Sequence, residues 1–429
     1  MAKAAIRASV VHVSILLVMG LVLTALFPAP ASALPGWARK YDTACATCHY
    51  PAPPRLNAYG HKFRRAQYRM EDEFNKDADW GNVGNYIAMR VRGRYDWDDR
   101  EIEVLTPADD SPISSSFSLH DATLFYAGPI SKHFSGFVEL ERPQDGDELE
   151  AVVSVGGIRG SPDRFGTFRI GQFHTLTRVG FGGLDRPTGI STPSPLSLPL
   201  VSGNGFKLNQ DQVGVEGTYV WGDQRIIGQV LNGSDIDADV GTTNAGPAPT
   251  TDRSDQNTDK DFMLAYELMW GETASGLTVF LYDGTQDDQT SIGPPDEVSF
   301  QRYGVTAAQV WDNGFEVQGG YIIGSDDFNP ATTAGGTVGD SVDGSGFWVE
   351  VAKYWSRAHD LAVFARFGSI DPNDDVDDDE RDQITVGLVW PVADWHVRWG
   401  FEYRNISEDQ TGGGSLDDDQ VTVELMLNF

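Results

Sequence analysis

From Asn85 to Phe429 the chain returns again and again to one pattern, runs of ten or more residues in which apolar and polar side chains alternate. The first run, NYIAMRVRGRYDW, sets Ile87, Met89, Val91, Tyr95 and Trp97 against Ala88, Arg90, Arg92 and Arg94. Alternation of this kind marks a β-strand with one apolar and one polar face. The runs exceed the ~5–6 residues usual in soluble sheets and approach the ~9–11 of a strand that crosses a bilayer. DQVGVEGTYVW repeats the pattern with Val213, Val215, Tyr219 and Trp221 outward. DFMLAYELMW and QVTVELMLNF follow the same rule, and DWHVRWGFEYR pairs an outward Trp395 with an inward His396. The expectation is a greasy outer face and a charged inner face throughout.

The connections fix the topology. Tight turns at Gly222-Asp223, Gly271-Glu272, Asp312-Asn313-Gly314, Arg357-Ala358 and Val392-Ala393 alternate with polar loops near 98–114, 176–209, 234–257, 285–295, 327–342, 371–380 and 407–417. Short turns on one side and long loops on the other describe an outer-membrane barrel, with the turns in the periplasm. The strands number sixteen, an even count that returns the C-terminus to the periplasmic side. The fold expected is therefore all-β, a sixteen-stranded antiparallel transmembrane barrel over 81–429 in contact with outer-membrane lipid. Trp221, Trp270, Trp311, Trp355, Trp390 and Trp395 abut the short turns, where an aromatic girdle belongs.

The N-terminus reads differently. Lys3 and Arg7 precede an apolar run, and Ala31 and Ala33 supply an A-x-A end, so 1–33 is expected to be a secretory signal peptide. Residues 34–80 then carry the only two cysteines, in Cys45-Ala46-Thr47-Cys48-His49. Thiols three positions apart with an adjacent imidazole fit covalent c-type haem, with His49 as one iron ligand. A zinc site needs about four protein ligands, and no second Cys/His pair exists. A helix opening at Pro53-Pro54 would align Leu56, Tyr59 and Phe63, and His61 would point away from that face. Met70 and His61 are the candidates for the distal iron ligand; methionine opposite histidine raises the haem potential.

The run Pro54, Leu56, Tyr59, Gly60, Phe63 and Tyr68 after Cys45-x-x-Cys48-His49, followed by a barrel, resembles the monohaem cytochrome–porin fusions of bacterial outer membranes. That family includes the iron-oxidising outer-membrane cytochromes. The resemblance covers the short segment closely and the barrel only in architecture. It departs at Gln67, where relatives carry glycine, and at His61, where arginine is frequent, so no distal ligand is carried over. It implies one covalent haem c, oxidation of extracellular Fe(II), and delivery of the electron to a periplasmic carrier such as a soluble cytochrome c. Nucleic acid is not among the expected partners. An outward conduit that reduces extracellular metals, or a transport porin that bears a haem, are the alternatives.

Charge supplies an argument of its own. Residues 34–70 hold Arg39, Lys40, Arg55, Lys62, Arg64, Arg65 and Arg69 against Asp42, whereas the whole chain carries a formal charge of −31. Inward Glu139, Glu141, Glu216, Glu267, Glu350, Glu402 and Glu424 would line the lumen. A basic segment inside an acidic wall is favoured, and a plug in the barrel mouth or lumen is expected. Arg90, Arg92 and Arg94 would bind haem propionates or loop acids. Outside, DPNDDVDDDE places Asp374, Asp375, Asp377, Asp378 and Asp379 together, with further acids at Asp326-Asp327, 145–150 and 417–419. Carboxylates are hard ligands, and a field of one sign concentrates divalent cations such as Fe(II). The spacing lacks the glycine and terminal glutamate of an EF-hand. The dispersed histidines His120, His133, His174, His359 and His396 lie near no hydrolase motif.

Overall fold

In the computed structural model sixteen antiparallel strands close into a single barrel, β1 pairing with both β2 and β16. The structure describes residues 36–103, 113–143, 150–176, 181, 184, 188–202, 204–233, 259–287, 297–327, 341–355, 360–377, 379–410 and 414–429. The expected signal peptide, the turn at Arg357-Ala358, most of the acidic 145–150 stretch and Asp378 lie outside these residues. The strands are β1 (Ile87–Glu103), β2 (Ile113–Pro129), β3 (Phe134–Pro143), β4 (Glu150–Ser161), β5 (Arg164–His174), β6 (Asp211–Trp221), β7 (Gln224–Leu231) and β8 (Asp261–Trp270). They continue as β9 (Ser275–Asp287), β10 (Glu297–Val310), β11 (Phe315–Asp326), β12 (Val342–Trp355), β13 (Leu361–Asp371), β14 (Arg381–Val392), β15 (Val397–Gln410) and β16 (Gly414–Asn428).

Period-two alternation sets the two faces. Along β8, Phe262 and Leu264 are exposed on the outside while Met263, Ala265 and Glu267 are buried inside. Phe168, Ile170, Val349, Val351, Ile384 and Val386 extend the apolar outer belt around the wall. Such a belt on a closed barrel is the surface that lipid covers, and closure leaves no unpaired sheet edge within the membrane. The long connections fall at one end, and the short turns, the start of β1 and the end of β16 fall at the other, the periplasmic end.

Several expectations need correction. The inner face is not charged throughout: from β7 to β13 it presents Ile227, Leu231, Tyr282, Phe300, Ile322, Trp348 and Ile370. These pack around Leu196, Leu200, Val201 and Phe206 of the long β5–β6 connection, which turns inward and forms a core within the barrel; its short helix is α3 (Ser194–Ser197). Glu350 accepts from Thr188, and Glu402 accepts from the backbone N–H groups of Ile190 (2.9 Å) and Ser191 (3.2 Å), so wall carboxylates hold the connection in place. The 407–417 stretch is largely strand, because β15 and β16 continue their pairing to Gln410 and Gly414. Trp395 is not in the girdle. It is buried in the turn at Ala393–His396, with φ +69°, and its indole N–H donates to Asp360. His396 belongs to the same turn and not to the inner face of a strand.

Candidate functional site: the segment in the periplasmic mouth

Two helices carry the segment, α1 (Gly36–Tyr41) and α2 (Ala58–Arg65). Helix α2 begins five residues later than Pro53. Its N-cap is Asn57, whose side-chain oxygen accepts from the Gly60 N–H at 3.0 Å. The same side chain donates from Nδ2 to the carbonyls of Ala46 (3.2 Å) and Thr47 (3.0 Å), the two residues between the cysteines. Asn57 thus fastens the cysteine turn to the helix, a role no spacing in the sequence pointed to. The fit is tight, since a Cβ on Gly60 would lie 2.2 Å from the Cys48 carbonyl oxygen. A glycine is needed there for close approach of backbone to backbone.

Cys45 opens a 3₁₀ turn, and the N–H groups of Cys48 (3.1 Å) and His49 (3.0 Å) both donate to its carbonyl. Both thiols are half-buried, and burial raises their pKa, that of Cys48 to about 11. His49 Nδ1 lies 3.2 Å from the carbonyls of Pro54 and Arg55. A backbone carbonyl on Nδ1 fixes the ring's orientation and leaves Nε2 as the atom suited to ligate a metal. The donor set, the backbone-held imidazole and the glycine cradle fit a covalent c-type haem on Cys45 and Cys48. The distal candidates separate in space. Tyr59 is exposed and its hydroxyl reaches Met70 Sδ at 2.7 Å, on the open side of α2. His61 is 2% exposed on the other side, its ring 4.9 Å from Phe181 of the inserted connection. Burial, then Arg64, Arg65 and Arg55, hold His61 far below its ordinary pKa, so it is neutral.

The whole segment sits in the short-turn mouth of the barrel. Arg55 pairs with Glu316 at the start of β11, Arg65 with Glu267 of β8 at 3.0 Å, and Lys62 with Asp223 in the β6–β7 turn at 3.7 Å. Arg398 of β15 donates to the Pro53 carbonyl at 2.6 Å, and Arg69 caps the carbonyls of Ser131 and Phe134. Trp37 stacks on Tyr68 and donates to the Ala127 carbonyl at 2.7 Å, while Tyr50, next to His49, stacks on Tyr354 of β12. Burial opposes ionisation of Glu73, yet Lys40 and Tyr41 at 2.5 Å hold its pKa below the usual value and tie α1 to the segment's end.

The acidic wall is largely matched by its own arginines. Glu216 takes Arg169, Glu350 takes Arg366, and Glu424 takes Arg94 and Arg398. Arg90 pairs with Glu141 at 2.9 Å and Arg92 with Asp121, so the β1 arginines serve wall acids rather than the cysteine segment or a loop. Glu316, the most enclosed partner of the segment, was not among the expected lumenal acids. Asp418 and Asp326 are likewise buried within strands, paired with Arg100 and Arg302, and not part of an open acidic rim.

Asp374, Asp375, Asp377 and Asp379 lie on the β13–β14 connection, at the barrel end opposite the cysteines. Burial, then Asp371, Glu380 and Asp374, raises the Asp379 pKa to about 6. Among the described residues no group of three or more His, Cys, Asp or Glu side chains converges as a metal site.

No family model matches the chain, and no curated protein matches it. Solved structures do. The anion-selective porin from Comamonas acidovorans aligns with a TM-score of 0.54 at 10% identity, covering 80% of this chain and 98% of that one. Salmonella typhi OmpF, solved with daunomycin, aligns at 0.52 and 11% identity, covering 84% and 99%. The outer membrane channel DcaP of Acinetobacter baumannii aligns at 0.51 and 12%, covering 80% and 96%. The class is therefore plain: a multi-pass outer-membrane β-barrel with the porin fold. Within that class this chain carries a folded N-terminal segment with a C-x-x-C-H turn in its periplasmic mouth.

Proposed function

We propose that the chain is an outer-membrane electron conduit with one covalent c-type haem on Cys45 and Cys48, which oxidises extracellular Fe(II) and delivers the electron to a soluble periplasmic cytochrome c. The observation that carries this reading is the clamped Cys45–His49 turn, docked at the periplasmic end by buried ion pairs. Each Fe(II) would become Fe(III), and the carrier would gain the one electron released. When bound, the haem supplies a one-electron carrier at the mouth. His49 would be one residue to hold the iron, and Met70, on the open side of α2 with Tyr59, is our candidate for the second. Gly60 and Asn57 fasten the turn to α2, which would keep His49 in place beside a bound haem. Asp374, Asp375, Asp377 and Asp379 would raise the local concentration of Fe(II) outside.

The inserted connection and the N-terminal segment both take up lumenal space, and the porin fold is also compatible with the alternative of a haem-bearing transport porin. Leu196, Leu200 and Phe206 pack inside the wall and the N-terminal segment occupies the mouth. The test is anaerobic: oxidised protein in nanodiscs is mixed with Fe(II) at neutral pH while the haem absorption bands are followed. Rapid reduction, slowed when the four loop aspartates are changed to asparagine, supports the reading. A haem that stays oxidised under Fe(II) but accepts electrons from a stronger donor overturns the iron assignment and brings the outward conduit forward.

A further inference from the structure

Cys45 Sγ donates to the backbone carbonyl of Asp394 at 3.7 Å, across 349 positions of the chain. Asp394 belongs to the β14–β15 turn, whose backbone is uncommon. Ala393, Asp394 and Trp395 follow one another at φ +51°, +53° and +69°, and none is a glycine. Non-glycine residues seldom enter this left-handed region, and a bulky tryptophan there must be held by its surroundings. It is held from three sides. The buried Trp395 donates its indole N–H to Asp360 at 2.7 Å, and the N–H groups of Trp395 (3.0 Å) and His396 (3.1 Å) donate to the carbonyls of Val392 and Ala393. Asn428, at the end of β16, donates its N–H to the His396 carbonyl at 2.8 Å. Backbone held in such a conformation clusters at functional sites, and what this turn touches is a haem-attachment cysteine.

Contacts that do not involve the thiol place the segment in the same quarter of the wall. Ala52 packs with Tyr354, Ala362 and Val389 of β12, β13 and β14, and Arg398 of β15 donates to the Pro53 carbonyl at 2.6 Å. The Asp394 side chain is exposed, and its charge acts on the Cys45 thiol, whose pKa burial raises first and Asp394 further. We infer that the β14–β15 turn forms one wall of the haem site and that the Asp394 carboxylate, beside Cys45, lowers the midpoint potential of the haem. The inference rests on the covalent-haem reading. A ferric haem carries one more positive charge than a ferrous one, so a carboxylate near it favours the oxidised form. The sign does not depend on the other charges present, because it concerns the removal of one. A thioether has no S–H, so in the loaded protein the Asp394 carbonyl only packs against the sulfur, and the side chain carries the effect.

The experiment is a spectroelectrochemical titration of the haem-loaded, full-length protein in nanodiscs at neutral pH, with haem per barrel measured alongside. Asp394→Asn should shift the potential upward and Asp394→Lys should shift it further, and both shifts should narrow as salt is added. Asparagine tolerates the left-handed region as aspartate does, so the turn keeps its shape and haem loading should be unchanged. Asp312→Asn, which removes the same charge from the β10–β11 turn, should move the potential less. Full loading with an unmoved potential in Asp394→Asn, or an equal shift in Asp312→Asn, overturns this inference alone. Absence of covalent haem from the unaltered protein overturns it together with the conduit reading. If Asp394→Lys does not assemble, Asp394→Asn decides.

Discussion

Arg55 and Glu316, separated by 261 positions in the chain, form an ion pair in which the side chains are 1% and 0% exposed. Tyr354 donates to the other Glu316 oxygen, so the carboxylate is shared between the N-terminal segment and the β12 wall. Removing one partner of such a pair leaves a buried charge unmatched, at a cost of about 3–5 kcal/mol. Arg55→Ala should therefore loosen the segment. Limited proteolysis of residues 36–86 should quicken and single-channel conductance should rise, while the heat-modifiable mobility of the barrel stays unchanged. An unaltered cleavage rate would show that the pair does not hold the segment.

Gly60→Ala tests the cysteine cradle. The new methyl meets the Cys48 carbonyl oxygen at 2.2 Å, and overpacking of this kind costs about 1–3 kcal/mol. The expected result is reduced covalent haem per barrel, measured by the ratio of haem absorbance to protein. Full loading would refute the need for close approach at this position.

Cys45→Ser with Cys48→Ser should abolish covalent haem and leave the barrel able to fold, because the ion pairs and the Asn57 hydrogen bonds do not involve the thiols. Met70→Ala should change the axial-ligand spectrum and lower the haem potential, whereas His61→Ala should leave both nearly unchanged. The reverse pattern in a spectroelectrochemical titration would assign His61.

Asp379 gives a pH dependence with a definite sign. Its folded pKa of about 6 lies above the ordinary carboxylate value, so the folded connection binds protons more tightly than the unfolded one. The resulting stabilisation is full below about pH 4 and is lost as pH rises through about 6. Hydrogen exchange in 371–377 should accelerate between those values, and Asp379→Asn should flatten the profile. An identical profile in the variant would remove Asp379 as the titrating group.

Much of this architecture was legible because strands write their two faces into alternate residues. Phe262 and Leu264 outside, with Met263 and Glu267 inside, needed only a period of two. The inserted connection was not legible, since Leu196, Leu200 and Phe206 follow no period and the cluster they join draws on eight strands. A signal was nevertheless present. Apolar residues on the inward positions of β7–β13, such as Ile227, Ile322 and Trp348, have no reason to face water and require something to cover them. Within the candidate site, Cys45, Cys48 and His49 declared themselves by spacing. Asn57 and Glu316 did not, because one acts through a polar side chain folded back on a turn and the other through a contact 261 positions away.

The seat of the N-terminal segment is assembled from distant parts of the chain: Glu267 of β8, Glu316 of β11 and Arg398 of β15. None of these contacts exists while the later strands are still unpaired. The complete seat is therefore available only when the wall is built as far as β15. The segment comes first in the chain and its socket last, so a group destined for the cysteines would have an interval in which to be attached before docking.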